Sequence, residues 1–335
     1  RPMSRVAVPL RMMGATVDGR EGGRKAPLYI RGGGAASSGG LRPLDPYVLP
    51  VASAQVKSCV MLAGMFADGV TTIVENTPTR DHTERMIGLF GAAVTVQDGR
   101  VSVSGFPALH ATRIDVPGDV SSAAFWFAAG AIVPGSRIQV EGVGLNPLRC
   151  GFLQALQSMG CRVDVAGVSD KWEPVGDVCV SANGLRAIEV SAPDVPAIVD
   201  ELPILAVCAA AAEGKTVITG AGELRHKETD RISAIVENLQ NMGARACELS
   251  DGFWVEGGHR LHGAFIRTGG DHRIAMAFAV AGLIADGEVI LDDPDCIAVS
   301  YPGFLDELKR VAGHHGEEEP RCGGGLQQGS HTDPA

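Results

Sequence analysis

The sequence predicts an α/β fold built from repeated β/α units in two lobes. Three observations carry that prediction: four long apolar helices, a glycine that follows each of them, and a small-residue stop closing a second helix in every unit. The apolar segments with their following strands read SAQVKSCVMLAGMFADGVTTIVEN, SSAAFWFAAGAIVPGSRIQVEG, VDELPILAVCAAAAEGKTVITG and DHRIAMAFAVAGLIADGEVILDD. In each, about a dozen apolar residues precede a turn glycine (Gly69, Gly135, Gly214, Gly287), spaced at about seventy residues, and a short β-branched strand follows.

After a loop, each unit continues into an amphipathic helix that ends at Gly91-Ala92, Gly160-Cys161, Gly243-Ala244 or Gly313, where a left-handed C-cap is expected. A fifth such stop, Gly14-Ala15, has no apolar helix before it, so the sequence is expected to open inside a unit and to be incomplete at its N-terminus. The first helix of each unit is apolar nearly all round and should be covered on both faces, whereas the second carries charge on one side and should lie outside. A boundary is expected near residue 112, giving a partial lobe of about one and a half units at 1–111 and a second lobe of nearly three units at 112–313. Residues 314–335 have Gly, charge and almost no apolar content, which predicts a disordered tail.

Composition narrows the function. The 335 residues are 45% hydrophobic and 20% charged, enough for a large core, while 44 glycines and a 5% aromatic share imply packing by small side chains. A formal charge of −10 and the lack of any face-forming Lys/Arg run argue against general nucleic-acid binding. The longest apolar stretches, at 202–212 and 274–285, fall short of the ~20 residues a membrane span needs. Eight cysteines are scattered without a C-x-x-C pair or a His at metal-ligand spacing, which predicts free thiols, no metal and a reducing, cytoplasmic setting. The first thirty residues hold no apolar signal core, so no secretion is expected.

Chemistry should gather where the buried helices begin. Ser53-Ala54-Gln55, Ser121-Ser122, Asp200-Glu201 and Asp271-His272-Arg273 stand at the four helix starts, whose free N–H groups favour anions. Capping explains Ser and Asp there, but not Gln55 or Arg273. Lys227-Glu228-Thr229-Asp230-Arg231 packs four charged side chains into five residues before a helix, a composition suited to a polyanion. In its sibling, Arg80 to Arg85, Asp81 and Glu84 have the spacing of a capping box. Asp200 and Glu228 are the candidate acid–base pair, since part-buried carboxylates can have raised pKa values. Gly214-Lys215-Thr216 imitates a phosphate loop, but Ala209 occupies its first glycine position, so it reads as a turn before a strand. Gly32-Gly33-Gly34 reads as a loop.

Together KETDR at 227–231, GDHR at 270–273, SAQ at 53–55 and the opening Arg1-Pro2-Met3 resemble EPSP synthase (3-phosphoshikimate 1-carboxyvinyltransferase), from Arg1 to about Gly313. PVASAQVKS, TRDHTER and IVDELPILAV resemble its class II branch. The resemblance implies the enolpyruvyl transferase inside-out barrel: two lobes of three units, with parallel buried helices whose N-termini face a central cleft. By that count one unit and most of another are absent, along with two family motifs and the lysine that partners the acid–base pair, so these residues alone are expected to be inactive.

The resemblance further implies transfer of the enolpyruvyl group of phosphoenolpyruvate (PEP) to the 5-hydroxyl of shikimate 3-phosphate, in the shikimate pathway, without metal or cofactor and as a monomer. By matched position, Arg1, Arg231 and Arg273 would grip PEP, Gln55 would touch both substrates, and Ser53, the Ala54 backbone, Arg80, Asp200 and Lys227 would hold shikimate 3-phosphate. Asp200 would orient or deprotonate the hydroxyl, and Glu228 would shuttle a proton at the PEP methylene. Val299 stands where the class I branch carries a PEP-binding lysine. The nearest rivals are the sister enzyme acting on UDP-N-acetylglucosamine, against which KETDR and IVDELP speak, and an anion-binding remnant without activity.

Overall fold

The structure, a computed structural model, describes residues 2–32 and 40–313, except for the side chain of Asp170. The roles expected for Arg1, for the Gly33-Gly34 part of the connector and for the tail at 314–335 therefore lie outside the described residues. The chain opens with α1 (Ser4–Met12), β1 (Thr16–Gly19), a single turn α2 (Arg20–Gly23) and β2 (Lys25–Arg31), the two strands pairing antiparallel.

From there the repeat is visible. In the first complete copy, β3 (Tyr47–Val48), α3 (Ala54–Gly64) and β4 (Val70–Val74) make a parallel crossover. Helix α4 (His82–Leu89) and an antiparallel hairpin, β5 (Val94–Gln97) and β6 (Arg100–Ser104), follow, with sheet order β3-β4-β6-β5. The second copy contains α5 (Val120–Ile132), β7 (Arg137–Gly144), α6 (Gly151–Ser158), β8 (Arg162–Asp170) and β9 (Pro174–Ser181). Its sheet is β7-β9-β8, and a parallel bridge from Gly118 to Val143 stands where a first strand would lie.

The third copy, β10 (Glu189–Val190), α7 (Leu202–Ala211), β11 (Lys215–Ile218), α8 (Arg231–Asn241), β12 (Arg245–Leu249) and β13 (Gly252–Glu256), repeats the first as β10-β11-β13-β12. The last holds β14 (Phe265–Ile266), α9 (His272–Ala281), the parallel β15 (Ile290–Leu291) and α10 (Phe304–Ala312).

The apolar helices do what their composition dictates. In α7 every residue from 202 to 210 is buried, and α5, α7 and α9 pack against one another with many buried alanines among them. Each buried Leu, Ile or Phe there contributes about 1.5–3 kcal/mol. One expectation fails at α3, which packs on α1, β4 and β6 but leaves Leu62 46% exposed, so its apolar surface is not covered all round. The buried apolar side chains fall into one large cluster spanning residues 120–308, a second at 47–103 and a small third of Ala7, Ala15 and Val17. Residues 107–117, between the first two, form neither helix nor strand.

The glycine stops hold at four of five positions: Gly14, Gly91, Gly160 and Gly243 have φ between +87° and +98°, the left-handed cap that L-residues resist. Gly313 differs, closing α10 at φ −81°. Lys215 opens β11 directly after the Gly214 turn, as expected of a turn rather than a phosphate loop.

Two corrections concern helix starts. Asp119, not Ser121 or Ser122, caps α5, its carboxylate accepting from both of their N–H groups. The Asp81/Glu84 capping box does not form. Asp81 precedes α4 without capping it and instead accepts from Arg85 Nε at 2.8 Å and Asn146 Nδ2 at 2.6 Å, while Glu84 turns inward onto the buried ammonium of Lys57. A charge partner across the fold outcompetes a local backbone N–H, because an ammonium bond to a carboxylate is the stronger one.

Candidate active site

Three apolar helices and one charged loop converge on a cleft of about 690 Å³. Ser53, Ala54 and Gln55 reach it from the start of α3, Asp200 from just before α7, and His272 and Arg273 from the start of α9. Arg231 opens α8, and Lys227 and Glu228 lie in the segment leading into it. Arg80 comes from the loop between β4 and α4. Apart from Arg1, every residue that the resemblance gives a substrate or catalytic role therefore lines one hollow, whereas Ser121 and Ser122 at the start of α5 do not line it. Val299 is 85% exposed and does not line it.

The caps separate structural polar groups from available ones. Ser53 accepts from Val56 N–H at the start of α3, and Asp271 accepts from Arg273 N–H at the start of α9. Neither Asp200 nor Glu201 caps α7, whose second residue is Pro203. Both carboxylates are thus left to other partners.

Arg231 is only 2% exposed, which a guanidinium tolerates when its donors are met. Its Nε donates to Asp271 Oδ2 at 2.7 Å, and its Nη2 donates to Asp271 Oδ1 at 3.3 Å and to Glu228 Oε2 at 2.9 Å. Among the described residues Nη1 is buried without a hydrogen-bond partner, 3.6 Å from Asp200 Oδ1.

Asp200 accepts from Arg80 Nη2 at 2.7 Å and from Lys227 Nζ at 3.3 Å. Burial alone would raise its pKa, but Arg273, Lys227 and Arg80 together hold its carboxyl well below the usual carboxylate range. Arg273 donates from Nη1 to the Asp200 carbonyl at 3.0 Å and lies 3.5 Å from Glu201 Oε1. Burial pushes the Glu201 carboxyl up, with Arg273 and the Ser121 hydroxyl opposing. Burial and the neighbouring Arg273 lower the pKa of His272, favouring the neutral imidazole. The result is a wall of Arg80, Lys227, Arg231 and Arg273 facing two carboxylates, a surface suited to several negative charges and a proton transfer.

Sequence reasoning missed some of the lining. Arg5 and Glu223 both border the cleft and pair with each other at 2.9 Å, a contact across 218 residues that no local pattern announces. His272 lay inside the quoted GDHR run, and Glu201 next to Asp200, yet neither had a role. Beside Arg80, Asn146 Nδ2 bridges Asp81 Oδ1 and Glu173 Oε2, and His82 pairs with Glu173. This cluster joins the start of α4 to the β8–β9 hairpin.

The EPSP synthase (3-phosphoshikimate 1-carboxyvinyltransferase) family model matches residues 1–308. The chain belongs to the EPSP synthase family. Its 3-phosphoshikimate 1-carboxyvinyltransferase relative from Pelotomaculum thermopropionicum is 50% identical over 312 residues, covering 93% of this chain and 71% of the relative. The Geobacillus kaustophilus enzyme of the same name is 50% identical over 314 residues, covering 93% and 72%. A solved EPSP synthase from Acinetobacter baumannii superposes with a TM-score of 0.81 at 39% identity, covering 92% of this chain and 70% of that one. The expected two-lobed α/β architecture is thus that of solved EPSP synthases. No helix of the described residues is long and apolar enough to cross a membrane.

Proposed function

We propose that this chain carries the site at which the enolpyruvyl group of PEP is transferred to the 5-hydroxyl of shikimate 3-phosphate, with release of phosphate. The observation that carries the reading is the buried Arg231, whose Nη1 meets no hydrogen-bond acceptor among the described residues while Arg273, Lys227 and Arg80 line the same cleft. Family membership and the relatives' names support the same substrates and disfavour the UDP-N-acetylglucosamine reading.

In this reading Arg231 and Arg273 take the PEP carboxylate and phosphate, whose paired oxygens suit the planar guanidinium fork. Gln55, at the start of α3, reaches both substrates. Ser53, the Ala54 backbone, Arg80 and Lys227 hold shikimate 3-phosphate. Addition puts a proton from Glu228 on the PEP methylene carbon while the 5-hydroxyl oxygen bonds to C2 and gives its proton to Asp200. Elimination from the tetrahedral intermediate then breaks the C2–O bond to phosphate, with Glu228 taking back a methyl proton as the double bond re-forms and Asp200 giving its proton to the departing phosphate.

Substrate entry supplies the base. An anion that engages Arg80, Lys227 and Arg273 competes with Asp200 for them, and the loss of those partners raises the Asp200 pKa toward that of a useful proton acceptor. The seven free thiols of the described residues support a reducing, cytoplasmic setting. The test is a phosphate-release assay on the complete gene product with PEP and either acceptor. Turnover with shikimate 3-phosphate is expected; turnover only with UDP-N-acetylglucosamine would overturn the reading.

A further inference from the structure

Lys57 lies one helical turn beyond Ser53 on α3 and is fully buried, although it does not line the cleft. A buried ammonium is costly unless every donor is met, and an apolar residue of similar size would ordinarily serve a helix interior better. Here all three donors are used. Nζ contacts Glu75 Oε2 at 2.9 Å, Glu84 Oε1 at 2.5 Å and the Thr79 carbonyl at 3.1 Å. Glu75 in turn accepts from Thr79 Oγ1 at 2.5 Å. One more tie, between the hydroxyls of Ser58 and Thr83 at 2.6 Å, joins α3 to the start of α4.

These partners flank one residue. Thr79 immediately precedes Arg80 and is held through both its carbonyl and its hydroxyl, and Thr83 and Glu84 follow within a turn and are held to the same helix by Ser58 and Lys57. Arg80 is thus clamped on both sides to the helix whose first residues are Ser53, Ala54 and Gln55. Its guanidinium, 26% exposed, projects from that clamp to Asp200. Neither Glu75 nor Glu84 lines the cleft, so the network can act on a ligand only through what it holds.

We propose that Lys57 is a positioning residue for the shikimate 3-phosphate half of the site, fixing Arg80 relative to the start of α3. The proposal rests on the function proposed above and adds to it a residue that touches no substrate. Its effect should fall mainly on one half of the cleft, because Arg231 is anchored by Asp271 and Arg273 by the Asp200 backbone carbonyl, which the Lys57 network reaches only through the Arg80–Asp200 pair.

Steady-state kinetics of the complete gene product test it. Lys57→Met should raise KM for shikimate 3-phosphate about tenfold or more while KM for PEP and kcat change less than about threefold. In an Arg80→Ala background the same substitution should add less than about twofold, since the clamp then has nothing to aim. Lys57→Arg should recover part of the loss. If Lys57→Met folds poorly by circular dichroism, Thr83→Val removes the hydroxyl tie to Ser58, which lies outside the cleft lining, and should raise the same KM about threefold. Equal changes in both KM values, or effects of Lys57→Met and Arg80→Ala that multiply, would overturn the proposal. Wild-type protein that ignores shikimate 3-phosphate would overturn the functional reading; wild-type turnover with an indifferent Lys57→Met would sink only the role of Lys57.

Discussion

Arg231 and Asp271 meet through two parallel contacts at the floor of the cleft, Nε to one carboxylate oxygen at 2.7 Å and Nη2 to the other at 3.3 Å. The same carboxylate accepts the backbone N–H of Arg273 at 2.9 Å. A single buried acid therefore orients one arginine and caps the helix that carries the other. Asp271→Ala should destabilise the protein by about 3–5 kcal/mol, because it leaves a buried guanidinium uncompensated. Asp271→Asn, which keeps an acceptor for the cap, should cost less. Urea unfolding of the two variants against wild type checks both values, and an unchanged midpoint for Asp271→Ala would mean that Arg231 finds another partner.

Arg231→Lys keeps the charge but loses the fork. Only one nitrogen then serves the Asp271 carboxylate and the cleft, so kcat/KM for PEP should fall about 30-fold, the equivalent of about 2 kcal/mol. Parallel assays varying each substrate in the complete gene product check this, and a loss confined to shikimate 3-phosphate would contradict the placement of PEP.

Asp200 ties stability to pH with a definite sign. Its folded pKa lies below the unfolded value of about 3.9, so the native state binds fewer protons at this group. The stabilisation is fully present at neutral pH and falls as the pH drops below about 4. Asp200→Asn should therefore be less stable than wild type at pH 7, and the gap should narrow on acidification. Thermal melts between pH 7 and pH 3 test this, and a gap that widens toward acid would reverse the assignment.

Neighbouring glycines 257 and 258 should respond differently to alanine. A Cβ at Gly257 would stand 2.0 Å from the Ala212 carbonyl oxygen and 2.4 Å from that of Ala209, backbone atoms at the end of α7 that cannot move aside. Gly258 has φ +80° with nothing within 4 Å, so alanine there meets only backbone strain. Gly258→Ala should cost about 1 kcal/mol, and Gly257→Ala clearly more, about 2–3 kcal/mol or loss of folding. Melting temperatures of the two variants give the comparison, and equal shifts would show that the α7 terminus yields.

What the sequence made legible was local. The buried helices α5, α7 and α9 are runs of Ala with Val, Ile, Leu and Phe that are apolar nearly all round, and four of the helix stops need a conformation glycine alone adopts easily, so both can be read from a dozen residues. The β5–β6 hairpin was missed although VTVQDGRVSVS alternates around an Asp-Gly turn, because serines and threonines on its open face blur the apolar signal. The site was legible where charge is dense, as in residues 227–231, and at the unusual helix-start residues Gln55 and Arg273. Lys57, Glu84, Glu201 and Arg5 were not legible in the same way. Their partners arrive from 18 to 218 residues away, and Glu84 had a ready local explanation that tertiary pairing overrode.

The contact between Arg80 and Asp200 has a wider consequence. Each positive group around the hollow already answers to an acid of the protein, so an incoming phosphate ester gains less than its Coulombic attraction suggests, since it trades one counter-ion for another. Selectivity then turns on whether a visitor can replace several internal pairings at once. A simple salt ion cannot, whereas a molecule bearing a carboxylate and a phosphate at fixed separation can, and it leaves behind a displaced acid able to take up a proton.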